Sequence, residues 1–208
     1  MSPRDFYKAD TTGLVLAARI FSNVVSPPVM FALIGLAICL YTLPLPSAVN
    51  WFLVYGFWVA LFPILFVVFL LYTGRVEELH MSNTQERRLP YVVSFLGLAI
   101  AFGLVTWFEG PELLRCLIIF NMVELVTLAL INLAWLISLH STGAMAASTL
   151  ISVIWGLPIG LLIGIPLTVS VCWVRLYLRR HTVAQTLVGL GVGMLTVLIL
   201  IPFGCFTN

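Results

Sequence analysis

Long apolar runs broken by short polar interruptions set the pattern of this chain. Runs at Val29–Leu43, Trp51–Tyr72, Tyr91–Phe108, Leu113–Leu136 and Thr182–Pro202 lie near or above the length needed to cross a hydrocarbon core as a helix, about 20 residues. Only helices and closed barrels satisfy their backbone in lipid, so the runs predict an all-α transmembrane bundle. The stretch Ser141–Val174 is long for one crossing and short for two, and Gly156-Leu157-Pro158-Ile159-Gly160 near its middle predicts a hairpin. Ahead of these runs, Thr12–Val24 is half apolar, with Leu14, Ala17, Ala18 and Phe21 spaced to share one face. It reads as an interfacial helix carrying Arg19, and Pro27-Pro28 either ends it or starts the next. The count is seven crossings, or six if the hairpin is re-entrant or the first run does not span.

Smaller features refine the picture. Trp51, Tyr55, Trp58 and Tyr72 fall toward the ends and first turns of their run, where aromatic rings favour the headgroup level. Gly143, Ala144, Ala146, Ala147 and Ser148 in the hairpin, and Gly189, Gly191 and Gly193 in the last run, allow close helix approach. Composition agrees: 62% of the 208 residues are hydrophobic and 9% charged, against about 25% charged in soluble domains. Residues 1–208 therefore read as one membrane-embedded domain, with a polar tail and interfacial helix over 1–28 and the bundle over 29–208. A formal charge of +2 with no aromatic-interleaved basic run excludes a nucleic-acid surface. Cys39, Cys116, Cys172 and Cys205 stand singly in apolar segments and read as buried thiols. The N-terminal residues lack the pattern of a signal peptide, and no carboxylate spacing implies a metal or other cofactor.

Three polar clusters interrupt the apolar runs where runs begin or end: Arg87-Arg88-Leu89-Pro90, Ile137-Ser138-Leu139-His140, and Arg175-Leu-Tyr-Leu-Arg-Arg-His181-Thr-Val-Ala-Gln185. Seven crossings put all three on one side. Nine of the ten Lys and Arg residues share that side, Arg115 being the exception, and the positive-inside rule makes it cytoplasmic. Arginine offers planar, permanently charged donors to phosphate, so Arg88 and Arg175 are candidate phosphate clamps. Arg179 and Arg180 read as interfacial anchors that snorkel to headgroups. In the fourth run Asn121, Glu124 and Asn132 are polar at membrane depth, with an interhelical hydrogen bond by Glu124 as the simplest reading.

The clusters together resemble the type 2 phosphatidic acid phosphatase superfamily, whose signatures are Lys-x6-Arg-Pro, Pro-Ser-Gly-His and Ser-Arg-x5-His-x3-Asp, over roughly residues 50–205. Arg175 and His181 keep the third spacing, with Val174 in place of serine and Gln185 in place of aspartate. The second signature survives as Ser138-x-His140 and the first as Arg88-x-Pro90. The signature lysine is missing, since Lys8 is the only lysine, and Arg87 or His80 would have to replace it.

The resemblance implies a phosphatase acting on a phosphorylated lipid within the membrane, with His181 as nucleophile through a phosphohistidine and His140 as general acid. Arg88, Arg175, Ser138 and Arg87 would hold the phosphate, and Gln185 would orient the His181 ring without supplying charge. The alternative is a degenerate member that binds, carries or scaffolds phospholipids without turnover, supported by Gln185 and the absent lysine. A small transporter with Glu124 and Asn132 on a polar path is a third reading, for which no inverted repeat is visible.

Overall fold

The computed structural model describes residues 3–4, 12–76 and 85–206. Glu77, Glu78 and His80 lie outside the described residues, as does Lys8. The described chain is helical without strands: α1 Gly13–Val24, α2 Pro27–Thr42, α3 Leu45–Gly56, α4 Phe62–Tyr72, α5 Arg88–Trp107, α6 Glu112–Ala134, α7 Leu139–Trp155, α8 Leu157–Tyr177 and α9 Val183–Leu198. A π-turn at Phe57–Leu61 joins α3 to α4, so Leu45–Tyr72 runs as one helix. Its position has a local cause: Pro63 has no N–H and its ring would press on the carbonyl four residues back, which the wider π-turn relieves.

Among the described residues five helices are long and apolar enough to cross a membrane: Leu45–Tyr72, α5, α6, α8 and Val183–Phe203. The pair α1 and α2, bent by 48°, counts as a sixth where it is one broken span and not a re-entrant loop. This is a polytopic transmembrane helical bundle. The count of seven is not reached, because α7 has only 17 residues, roughly 26 Å of helix against a hydrocarbon core of about 30 Å. The hairpin is present, and it turns where the sequence predicts, at Gly156 with φ 98°.

Two compact units make up the chain, residues 1–30 with 137–208, and residues 31–136. In the first unit, α7 and α8 pack as an antiparallel pair. A Cβ at Gly160 or Gly164 would collide with Ser152 or Ser148, so the two backbones approach as closely as glycine permits. The Ser148 hydroxyl lies 2.7 Å from the Ala144 carbonyl, 3.1 Å from that of Gly164 and 2.9 Å from Thr168 Oγ1. On α9, Gly189 faces Ser138 and Thr142 while Gly193 faces Thr142 and Ala146, so α9 runs parallel to α7. The start of α7, the end of α8 and the start of α9 consequently share one end of this unit.

Against α8 lies α1, with Ala18 buried beside Val174 and Leu178 and with Val15, Phe21 and Tyr177 around them. The inward face of α1 is therefore Val15, Ala18, Phe21 and Ser22, so Leu14 and Ala17, which share a face with Ala18 and Phe21 by spacing, are exposed. Both faces of α1 are apolar enough to be chosen, and packing on α8 chooses the one with the small Ala18 and Ser22.

In the second unit, Gly97 of α5 sits against the Trp58 carbonyl, 2.5 Å from where its Cβ would be, beside the π-turn. Phe31 of α2 and Phe120 of α6 meet edge to face at 5.4 Å. Tyr55 is fully buried and donates to the Phe31 carbonyl at 3.2 Å, so it is an interhelical strut and not a headgroup anchor. The reason is that α3 starts at Leu45, six residues before the expected Trp51, which moves Tyr55 deeper.

The glycines of α9 separate packing from helix propensity. Gly193→Ala is expected to lower stability by about 1–3 kcal/mol through overpacking, while Gly191, with nothing within 4 Å of its Cβ, tolerates alanine or gains up to about 1 kcal/mol. Denaturant midpoints of the two variants in one detergent provide the check, and equal midpoints would remove the close α7–α9 contact.

Candidate functional site

The third cluster owes its shape to the way α8 ends. Arg180 N–H donates to the Arg175 carbonyl at 3.1 Å and Arg179 N–H to that of Leu176 at 3.0 Å, the two bonds of a Schellman turn. Glycine normally takes the left-handed position of that turn, but here Arg179 does, with φ 55°, at a cost of about 1–2 kcal/mol. The turn sends Arg179 outward and folds Arg180 and His181 back, leaving Arg180 9% and His181 8% exposed. Arg179 keeps its reading as an exposed anchor. Arg180 does not; the sequence alone cannot tell the two neighbours apart.

His181 leads directly into α9, whose start is a capping box: Thr182 Oγ1 accepts from Gln185 N–H at 3.2 Å, and Gln185 Oε1 accepts from Thr182 N–H at 2.9 Å. A backbone N–H needs an acceptor, which fixes Oε1 and not the amide nitrogen on that side. The same Oε1 lies 3.3 Å from His181 Nδ1. An amide oxygen only accepts, so Nδ1 carries a proton and donates. The predicted contact between His181 and Gln185 is thus present, with Gln185 shared between the ring and the helix cap.

The second cluster stands at the start of α7. Ser138 is its N-cap and is fully buried, its hydroxyl 2.9 Å from that of Ser141 and accepting weakly from Ser141 N–H at 3.4 Å. Ser141 in turn faces the Cys172 thiol of α8. One turn further along α8 comes Arg175, 2% exposed, whose Nη1 donates to Ser22 Oγ at 2.8 Å. His140 Nε2 is 3.0 Å from the Ser22 carbonyl, and since a carbonyl only accepts, Nε2 is the protonated nitrogen. Arg175 and His140, from two different clusters, therefore aim donors at two oxygens of a single α1 residue.

Ser22 is the residue that reading the sequence missed. It lies 118 positions from His140 and 153 from Arg175 and belongs to no motif. Its one available signal was a hydroxyl on a helix otherwise packed through apolar side chains.

Ser138, His140, Arg175, His181 and Gln185 all belong to the first unit, whereas Arg87 and Arg88 belong to the second. There Arg88, the expected clamp, is exposed in the first turn of α5, and Arg87 is buried at 4% exposure and hydrogen-bonded to the Tyr91 hydroxyl. Among the described residues no group of three His, Cys, Asp or Glu side chains is placed to hold a metal ion. Comparisons with protein-family models, with curated proteins and with solved structures give no match to this chain.

Proposed function

We propose that the first unit carries a site for the phosphate of a membrane lipid, and that the protein hydrolyses that phosphate monoester or diphosphate through His181. The observation that carries this reading is the convergence of Arg175 Nη1 and His140 Nε2 on the hydroxyl and carbonyl oxygens of Ser22. The two donors meet on one small residue, and in this reading they exchange its two oxygens for two oxygens of one phosphoryl group. Buried Arg180 and His181 stand at the same end of the unit.

In this reading Nε2 of His181 attacks phosphorus while the bond from phosphorus to the lipid oxygen breaks. The departing oxygen takes the Nε2 proton of His140 and leaves as the lipid alcohol. Water then gives a proton back to His140 Nε2 as its oxygen bonds to phosphorus and the phosphorus–nitrogen bond breaks, releasing inorganic phosphate and restoring both rings. Arg175 neutralises charge on the phosphoryl oxygens as the bond breaks. A site at the end of a membrane-spanning helix receives the headgroup while the tail stays in the bilayer.

Binding without turnover is the second reading, and one observation favours it. Gln185 offers the His181 ring a neutral oxygen that already accepts a backbone N–H, so the positive charge that builds on the attacking ring is stabilised less than a carboxylate would stabilise it.

Phosphate release from vesicle-borne lipid monophosphates and diphosphates by the detergent-purified protein decides between them. Hydrolysis is expected to vanish in His181→Ala and to fall by about 10²–10⁴ in His140→Gln, the usual worth of a positioned acid. Vanadate, which mimics five-coordinate phosphorus, is expected to inhibit. No release from any lipid, with lipid phosphate still bound by His181→Ala, would establish the binding reading.

A second outcome concerns Gln185. Glutamate at this position keeps the capping box and the reach to Nδ1, and an acid in the first turn suits the helix dipole. Gln185→Glu is expected to melt no lower than the parent protein and to hydrolyse faster, whereas Gln185→Ala loses about 1 kcal/mol of stability with the cap. A Gln185→Glu protein that is equally stable and no faster would remove the ring contact from the mechanism.

A further inference from the structure

The second unit contains a carboxyl group that the proposed phosphate chemistry does not use. Glu124 lies twelve residues after the start of α6 and ten before its end, roughly 18 Å and 15 Å along the axis, and hence near the middle of a membrane-crossing helix. It is 4% exposed, and its Oε1 is buried with no hydrogen-bond partner among the described residues. Asn121, Glu124 and Asn132, all buried, fall within an arc of about 80° on α6.

The groups around this arc are polar but carry no formal charge at mid-helix. One turn away, Asn121 Nδ2 lies 3.1 Å from the Tyr55 hydroxyl, and Tyr55 from α3 faces both Glu124 and Cys39 of α2. From α5 the buried face is apolar, with Gly97, Leu98, Ala101 and Val105. Toward the end of α6, Asn132 Nδ2 donates to the Tyr91 hydroxyl at 2.6 Å, and Tyr91 also meets Arg87. Asn132 Oδ1 is a second buried acceptor without a partner. Between the two unpartnered oxygens lies buried Leu128, on the same arc.

A carboxylate at mid-membrane is costly, and such groups normally pair with another group or serve a path. Here Oε1 pairs with nothing among the described residues. A metal ion would need several oxygen ligands, and one carboxylate with an amide oxygen two turns away does not supply them. A proton needs only the one oxygen. We propose that Glu124 is a proton-binding site at mid-membrane, which takes up and releases a proton while the protein stays folded. The line from Arg87 through Tyr91 to Asn132 provides a polar approach from one end of the helix, and Leu128 is the apolar gap within it. Asn121 and Tyr55 lie on the other side of the carboxyl. This site is independent of the phosphate reading.

Infrared difference spectroscopy of the full-length protein in lipid vesicles, recorded over a pH series in which it remains folded, tests this. The carbonyl stretch of a neutral buried carboxylic acid is expected at low pH, to shift in heavy water, to fade as pH rises, and to be missing from Glu124→Gln. A hydrophobic carbodiimide adds across the acid form, its C=N bond taking up the carboxyl oxygen and proton and ending as an N-acylurea. Peptide mapping is then expected to find this adduct on Glu124 in the unmutated protein, less of it as pH rises. The mapping keeps the test valid should Glu124→Gln fail to fold. A band that neither exchanges nor titrates would make Glu124 a fixed neutral hydrogen-bonding group and overturn the proposal, as would absence of both band and adduct.

Discussion

Close contact between backbones is the constraint on which the first unit depends. Hydrocarbon offers helices no hydrophobic reason to associate, so helix pairs gain from packing and from hydrogen bonds made at short range. Gly160 and Gly164 let α8 meet Ser152 and Ser148, and Gly189 and Gly193 let α9 meet the carbonyl side of α7 at Ser138 and Thr142. Each contact fixes a register as well as a distance. With α8 antiparallel and α9 parallel to the same helix, residues near the start of α7, the end of α8 and the start of α9 have to share one end. Ser138, His140, Arg175 and His181 sit there because small residues several turns away leave no other alignment. The Schellman turn completes the arrangement by reversing the chain within two residues, which keeps His181 close to the helix that carries Arg175.

Much of this fold was legible because lipid punishes ambiguity. Long apolar runs, the proline break at Pro27-Pro28 and the glycine turn at Gly156 each map onto an element in the structure. Less legible was which side of an apolar helix meets protein and which meets lipid. The side of α1 that meets protein is one case: Leu14 and Ala17 are as apolar as Val15 and Ala18, and only the partner helix decides. Tyr55 was misplaced because its depth depends on where α3 begins, and Leu45-Pro46 starts the helix earlier than its aromatic residues suggest. At the candidate site, the spacing of Arg175, His181 and Gln185 was readable since a turn and a helix start preserve local order. Ser22 was not, because its role arises only when α1 packs on α8. Burial of Arg87 and Arg180 beside exposed Arg88 and Arg179 follows from helix phase and from a left-handed residue, neither of which adjacent arginines reveal.

Gln185 shows where folding and chemistry pull apart. At the third position of α9 either glutamine or glutamate closes a capping box with Thr182, and glutamate gains more from the helix dipole. Folding therefore gives no reason to prefer the amide. The amide has one chemical consequence: it accepts from His181 Nδ1, so that nitrogen carries a proton, while adding no negative charge beside the ring. In the proposed reading a ring so placed is oriented for attack, with no carboxylate beside it to stabilise the charge that builds during attack. An anion arriving between Arg175 and His140 meets donors that already point at two oxygens. In the proposed reading, that geometry suits phosphate recognition better than activation of the nucleophile. Slow turnover would follow from it, with the single atom that separates an amide from a carboxylate at residue 185 setting how slow.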